Sequence, residues 1–302
     1  MSLGPDLDRR QVLRGLAGCA CLGALAACGV HPETSSPRAL DRRLGELTGR
    51  LNPGQDYRPP SDAEARRAVK ATEQLTADDL DAARRGFATV GFTVDELYDP
   101  AAQRDCLIAA GEDDGDRTWG MLVLAAGAVR PDVLVEVPHP RADLDTEHIG
   151  LDVFRAMPRS GLLVAGAHRR AAGGAADVAH RKDSLFHALA ADLGRQGSFQ
   201  LQLHGFADAS LPGADVVISS GKAQVGTRAE RLADALEGIG LGVCRAWHDR
   251  CPALEGRSNA QGRAAARHDL EFVHLELNHR TRMDLRRRSA LVDAVAGTLN
   301  DH

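Results

Sequence analysis

Apolar residues recur every three to four positions through "SDAEARRAVKATEQL" and "TADDLDAARRGFATVGF", each stretch opening on a capping residue. This pattern predicts two helices ahead of any strand. From Thr118 onward it changes to short β-rich runs: "TWGMLVLAAG", "PDVLVEVPHP", "GLLVAGAH", "FQLQLHGF", "ADVVISSG", "GLGVCRAW" and "EFVHLELN". Helical spacing fills several of the gaps, at Thr146 to Ala156, Ser184 to Leu193, Arg228 to Gly238 and Arg286 to Leu299. Strands alternating with helices predict an α/β fold of three layers, with a central mixed, mostly parallel sheet flanked by helices. Ligands of such sheets gather at the carboxyl ends of the strands. No internal repeat is visible.

The first 60 residues follow neither pattern. "DRRQVLRGLAGCACLGALAACGV" reads as a charged region, a short apolar region and a small-residue processing site. Its apolar part, from Gly15 to Ala27, is shorter than the ~20 residues that cross a bilayer. Arg9 and Arg10 resemble a twin-arginine export signal, and "LAAC" resembles a lipobox whose cysteine, Cys28, becomes the lipidated first residue. The expected organisation is an export and lipoprotein signal over 1–28, a flexible Pro/Ser/Gly-rich tether over 29–60, a helical segment over 61–117 and an α/β domain over 118–302. Such a chain is a bacterial cell-envelope protein anchored by lipid outside the cytoplasmic membrane.

Composition narrows the partners. The 302 residues carry a net charge of −5 and only 4% aromatics. A phosphate backbone needs a concentrated positive field and base stacking needs aromatic rings, so nucleic acid is excluded as a partner. Cys244 and Cys251 bracket "RAWHDR", and in an oxidising compartment such a pair is a plausible local disulfide. Neither a Cys-x-x-Cys spacing nor a second pair marks a cysteine zinc site.

Polar residues with chemical reach cluster at the predicted strand ends. His139 closes one run between Pro138 and Pro140, His168 and Arg169 close the next, His204 closes another, and Glu276 lies inside the last between Leu275 and Leu277. Carboxylates follow the first of these at Asp143, Asp145 and Glu147. Two imidazoles and a carboxylate suit a single zinc ion, leaving its fourth position to water. Glu276 is costly to bury in "VHLEL" unless it faces a polar cavity, which marks it as the group that moves a proton.

"VPHP", a following carboxylate, "AGAHR", "LQLHGF", "GRSNAQGR" and "FVHLELNHRTRMD" stand in the order and approximate spacing of the N-formylglutamate amidohydrolase family, and the likeness covers about Val133 to Leu299. That family is similar in fold and zinc chemistry to the zinc carboxypeptidases and related deacylases. The resemblance implies His139 and His204 as zinc ligands, Glu276 as general base and acid, and Arg169 as the arginine that holds a substrate carboxylate. His168 stands where the family has Asn. Asn259 and His180 join as substrate-binding candidates, with Asp177 beside the latter. The His-x-x-Glu pattern of the carboxypeptidases falls on Ala142, which cannot ligate. The third ligand therefore stays open among Glu147, the first choice, Asp143 and Asp145.

The expected activity is hydrolysis of an amide bond next to a carboxylate, in an N-acyl amino acid, a peptide or a peptidoglycan stem. Two rivals remain. One is a lipid-tethered binding protein that keeps the fold without catalysis. The other is a serine hydrolase using Ser219 or Ser220, although no Gly-x-Ser-x-Gly elbow is present.

Overall fold

The computed structural model describes residues 39–111, 115–127 and 130–300. The export signal expected over 1–28, with Cys28, lies outside the described residues.

Among the described residues, nine strands form one mixed sheet in the order β1-β2-β3-β5-β4-β6-β9-β7-β8. They are β1 (Phe92–Asp99), β2 (Arg104–Gly111), β3 (Met121–Ala125), β4 (Val133–Val137), β5 (Ser160–Val164), β6 (Phe199–Phe206), β7 (Val216–Ser219), β8 (Val243–Arg245) and β9 (Phe272–Asn278). The centre, β5-β4-β6-β9, is parallel. The β1-β2-β3 wing is antiparallel and joins β5 antiparallel. On the other side β7 runs antiparallel to β9 and parallel to β8.

Two apolar layers sandwich this sheet. Leu40 and Leu44 of α1 (Ala39–Gly49), Ile149 and Phe154 of α4 (Thr146–Ala156), Leu232 and Leu236 of α7 (Thr227–Gly238), and Leu291 and Val295 of α10 (Leu285–Leu299) pack on one face. Ala71 and Leu75 of α2 (Asp62–Thr76), Phe87 of α3 (Leu80–Ala88), and Phe186 and Leu189 of α6 (Leu185–Arg195) pack on the other. The expected helix α2 opens on a capping box, with Ser61 and Glu64 each satisfying the other's backbone amide.

Two expected boundaries are corrected. The segment 29–60 is not a tether throughout: α1 begins at Ala39, and its Leu40 and Leu44, one turn apart, are buried to 1% and 0% exposure. The segment 61–117 is not only helical, because β1 and β2 extend the sheet from Phe92. Strand β1 lies at the edge, and Thr93, Glu96 and Tyr98 face solvent while Val94 and Leu97 are buried. Its charged positions hide a strand pattern that is plain once the edge is seen.

Candidate metal centre

The parallel strands β6 and β9 explain how one face becomes chemical. Leu201 and Leu203 of β6, and Val273, Leu275 and Leu277 of β9, enter the core shared with α4, α7 and α10. Alternation turns the residues between them to the opposite face. In register, Gln202 pairs with His274 and His204 with Glu276. Strand β4 ends at Val137, and the chain turns at once through Pro138, His139 and Pro140. The Asp143 amide donates to the His139 carbonyl at 2.9 Å, and Arg141 and Asp145 both adopt left-handed backbone, φ 65° in each. This strained turn, in a region L-residues seldom occupy, brings the Asp143 carboxylate back over the two imidazoles.

One Asp143 oxygen, Oδ2, lies 3.2 Å from His139 Nδ1 and 3.3 Å from His204 Nδ1. Both outer nitrogens are engaged elsewhere. His139 Nε2 meets Asp177 Oδ1 at 2.7 Å, and His204 Nε2 meets Gln202 Oε1 at 2.7 Å. All three side chains are buried. Burial alone would raise the Asp143 carboxyl, but the His139 and His204 imidazoles set against it outweigh that and hold it well below the usual range. Burial depresses the His204 imidazole to about 4. For His139 burial is outweighed by hydrogen bonds to Asp143 and Asp177, which raise it. Two inward Nδ1 atoms around one carboxylate are the donor set that binds zinc, so the residues fit that ion.

Glu147 does not join them. Its buried carboxylate points to the Arg141 amide at 3.5 Å, and it belongs to none of the candidate ligand groups among the described residues. Asp143 takes the place first given to Glu147. The reason is the tight turn: it doubles back before Asp145, which leaves Glu147 in the first turn of α4. Asp145 is the N-cap of that helix and meets His148 at 3.2 Å.

A cavity of about 460 Å³ opens over the cluster, lined by His139, Arg169, His180, His204, His274 and Glu276 and walled by residues 253–259. Burial, reinforced by the Asp143 charge, pushes the Glu276 carboxyl up to about 8. Arg169 donates to Asp177 at 2.9 Å and reaches His139 Nδ1 at 3.2 Å. His180 meets the same Asp177 at 3.0 Å. The wall is fixed by a disulfide between Cys244 and Cys251, the latter fully buried against Phe206 and Val217.

Two substrate candidates are placed differently from expectation. His168 does not line the cavity; its Nδ1 accepts from the Arg170 amide at 3.2 Å. Asn259 does line it, but its side chain is spent internally. It caps α8 (Ala260–Arg267) by accepting from the Gly262 amide at 3.0 Å, and it donates to Gln202. The serine alternative fails on geometry. The Ser219 hydroxyl donates to the Glu255 carbonyl at 2.6 Å and that of Ser220 to the Ala223 carbonyl at 3.0 Å, so neither is directed to an imidazole.

Four contributors escaped the sequence reading. Arg282, 5% exposed, donates to the carbonyls of Leu144, Leu277 and Phe206. It thereby ties the Asp143 turn to the ends of β6 and β9. A Cβ at Gly205 would stand 2.6 Å from its guanidinium carbon, so the glycine after His204 makes room for it. Gln202, His274 and Glu136 are the others. Their signal was available as polar residues at every second position of central strands, where apolar ones are the rule.

No protein-family model matches the chain, and no curated protein does. Among solved structures, the zinc-free apo form of YndL aligns at 14% identity and a TM-score of 0.42 over 63% of this chain and 93% of that one. The Legionella pneumophila aminopeptidase LapA aligns at 10% and 0.41 over 97% and 80%. A putative metallopeptidase from Shewanella denitrificans aligns at 14% and 0.35 over 83% and 97%. Likeness of this degree assigns neither a family nor an activity.

Proposed function

We propose that the chain is a zinc-dependent amidohydrolase of the N-formylglutamate amidohydrolase type, cleaving an amide bond next to a free carboxylate. The observation that carries this reading is the convergence of His139 Nδ1, His204 Nδ1 and Asp143 beneath a cavity that also holds Glu276 and Arg169. His139, Asp143 and His204 would hold the ion. Zinc in such a site lowers the pKa of water and polarises a carbonyl.

The remaining chemistry belongs to side chains. Glu276, which faces the cavity beside the cluster, takes the proton of the attacking water and returns it to the leaving amine. Arg169 exposes 32% of its side chain while Asp177 steadies it at 2.9 Å. Its free donors suit the planar, bidentate capture of a substrate carboxylate. His180 stands beside it as a second polar contact. The order of the sequence motifs supports the family reading, and the leader supports export with a lipid anchor at Cys28. At such an address, peptides, peptidoglycan stems and N-acyl amino acids are the fitting substrates.

The test is hydrolysis of a panel of N-acyl amino acids, dipeptides and stem peptides by zinc-loaded protein. Amine release that a chelator abolishes and zinc restores, and that amidated substrates lose, supports the reading. A protein that binds zinc and these acids yet hydrolyses none of them is the tethered binding protein instead.

A further inference from the structure

Behind His204 lies a chain of buried amides whose directions are all determined. Gln261 donates Nε2 to the Val178 carbonyl at 3.0 Å, which turns its Oε1 toward Gln202. Asn259 accepts from the Gly262 amide at 3.0 Å, which turns its Nδ2 toward Gln202. Gln202 thus meets an acceptor on one side and a donor on the other. Its Nε2 donates to Gln261 Oε1 at 3.3 Å and to Glu136 Oε2 at 2.7 Å. Its Oε1 accepts from Asn259 Nδ2 and faces His204 Nε2 at 2.7 Å. An amide has two donors and one accepting oxygen, and here both ends are used.

Reversing Gln202 would set its NH2 against the Asn259 NH2 and its oxygen against the oxygens of Gln261 and Glu136. Glu136, Gln202 and Gln261 are each 0% exposed and Asn259 is 2% exposed, so water cannot relieve such contacts. The two backbone anchors, one carbonyl and one amide, therefore dictate where the proton sits on an imidazole that neither of them touches.

We propose that Gln202, oriented by Asn259, Gln261 and Glu136, is a positioning residue that fixes His204 in the Nε2-protonated tautomer, so that its Nδ1 lone pair faces Asp143 and a bound metal ion. The proposal rests on the zinc reading of the site. An outer partner of this kind sets both the tautomer and the ring angle of a ligand. It also assigns Asn259 to preparing the metal site and not to substrate recognition.

The test uses the full chain with 15N-labelled histidine. In metal-free wild-type protein the expected spectrum has the His204 proton on Nε2. Zinc titrated against a competing chelator is expected to bind on the order of 10–100-fold more weakly to Gln202→Leu. It is expected to bind less weakly, but still below wild type, to Gln261→Leu, which removes only one anchor. Thermal melting of the metal-free variants separates this from a loss of fold, because a merely structural role would lower the melting temperature and leave the Kd of folded protein unchanged. A His204 proton on Nδ1, or wild-type zinc affinity in folded forms of both variants, overturns the proposal. A wild-type protein that binds no zinc overturns the zinc reading instead, and the metal-free spectrum still decides the tautomer.

Discussion

Strands β6 and β9 show two faces built from the same residues in alternation. On one face Leu201, Leu203, Val273, Leu275 and Leu277 pack into the core beneath α4, α7 and α10. On the other, buried Gln202, His204 and His274 and half-buried Glu276 form a polar surface under the cavity. Burial is similar on both sides, but its consequences are opposite. Burial of the first face stabilises the fold by removing apolar area from water, about 25 cal/mol per Å². Burial of the second opposes charge and shifts acidities, as at Glu276 and His204. Stability and chemistry are thereby separated by one residue step along the same strand.

That separation can be broken from either side. The largest effect belongs to Glu276→Gln, expected to lower hydrolysis by roughly 10²–10⁴-fold, the range for loss of a general acid and base. Zinc content and unfolding midpoint should stay close to wild type, as metal analysis and urea titration would show. Leu203→Ala does the reverse. It should destabilise by about 2–5 kcal/mol in urea unfolding while the folded fraction keeps its zinc affinity.

The polar face also predicts a pH dependence. Burial raises the Glu136 carboxyl from 4.5 to about 8. Its contribution to stability is therefore full below about pH 4.5, where folded and unfolded chains are both protonated there, and is lost as pH rises through about 8. Glu136→Gln keeps an acceptor for Gln202 and removes this slope. Unfolding at pH 5 and pH 8 should show the variant gaining on wild type by on the order of 3 kcal/mol at the higher pH. A parallel pH dependence in both proteins would place the slope elsewhere. The smallest effect is expected from Cys244→Ser with Cys251→Ser. Opening a loop of sequence separation 7 should cost about 2 kcal/mol. Substrate KM should rise more than kcat falls, since the disulfide holds the cavity wall and not the donors.

The same two faces decide what the sequence disclosed. Strands β3 to β9 and the helices α4, α6, α7 and α10 were legible, because the strands are short apolar runs and the helices carry an apolar face at helical spacing. His139, His204, Glu276 and Arg169 were legible as functional groups breaking that periodicity at strand ends. The third donor was not. Choosing Asp143 over Glu147 depends on two left-handed residues, Arg141 and Asp145, and neither is a glycine that would have announced the turn. Strand β1 was hidden by the solvated side chains of a sheet edge. The roles of Gln202 and Arg282 were hidden because most of their partners, Glu136, Asn259 and Gln261 for the first and the Leu144 and Phe206 carbonyls for the second, lie far away in the chain. The polar positions are visible in the strands, but the partners they meet are not.

The central claim is that His139, Asp143 and His204 form one metal site. Metal analysis of purified protein after zinc loading and removal of excess tests it most directly. The account predicts one zinc per chain in wild type and in Glu147→Gln. It predicts loss of that zinc in His139→Ala, His204→Ala and Asp143→Ala with the fold retained by circular dichroism. Zinc kept by Asp143→Ala but lost by Glu147→Gln, or no zinc in the wild-type protein, would contradict it.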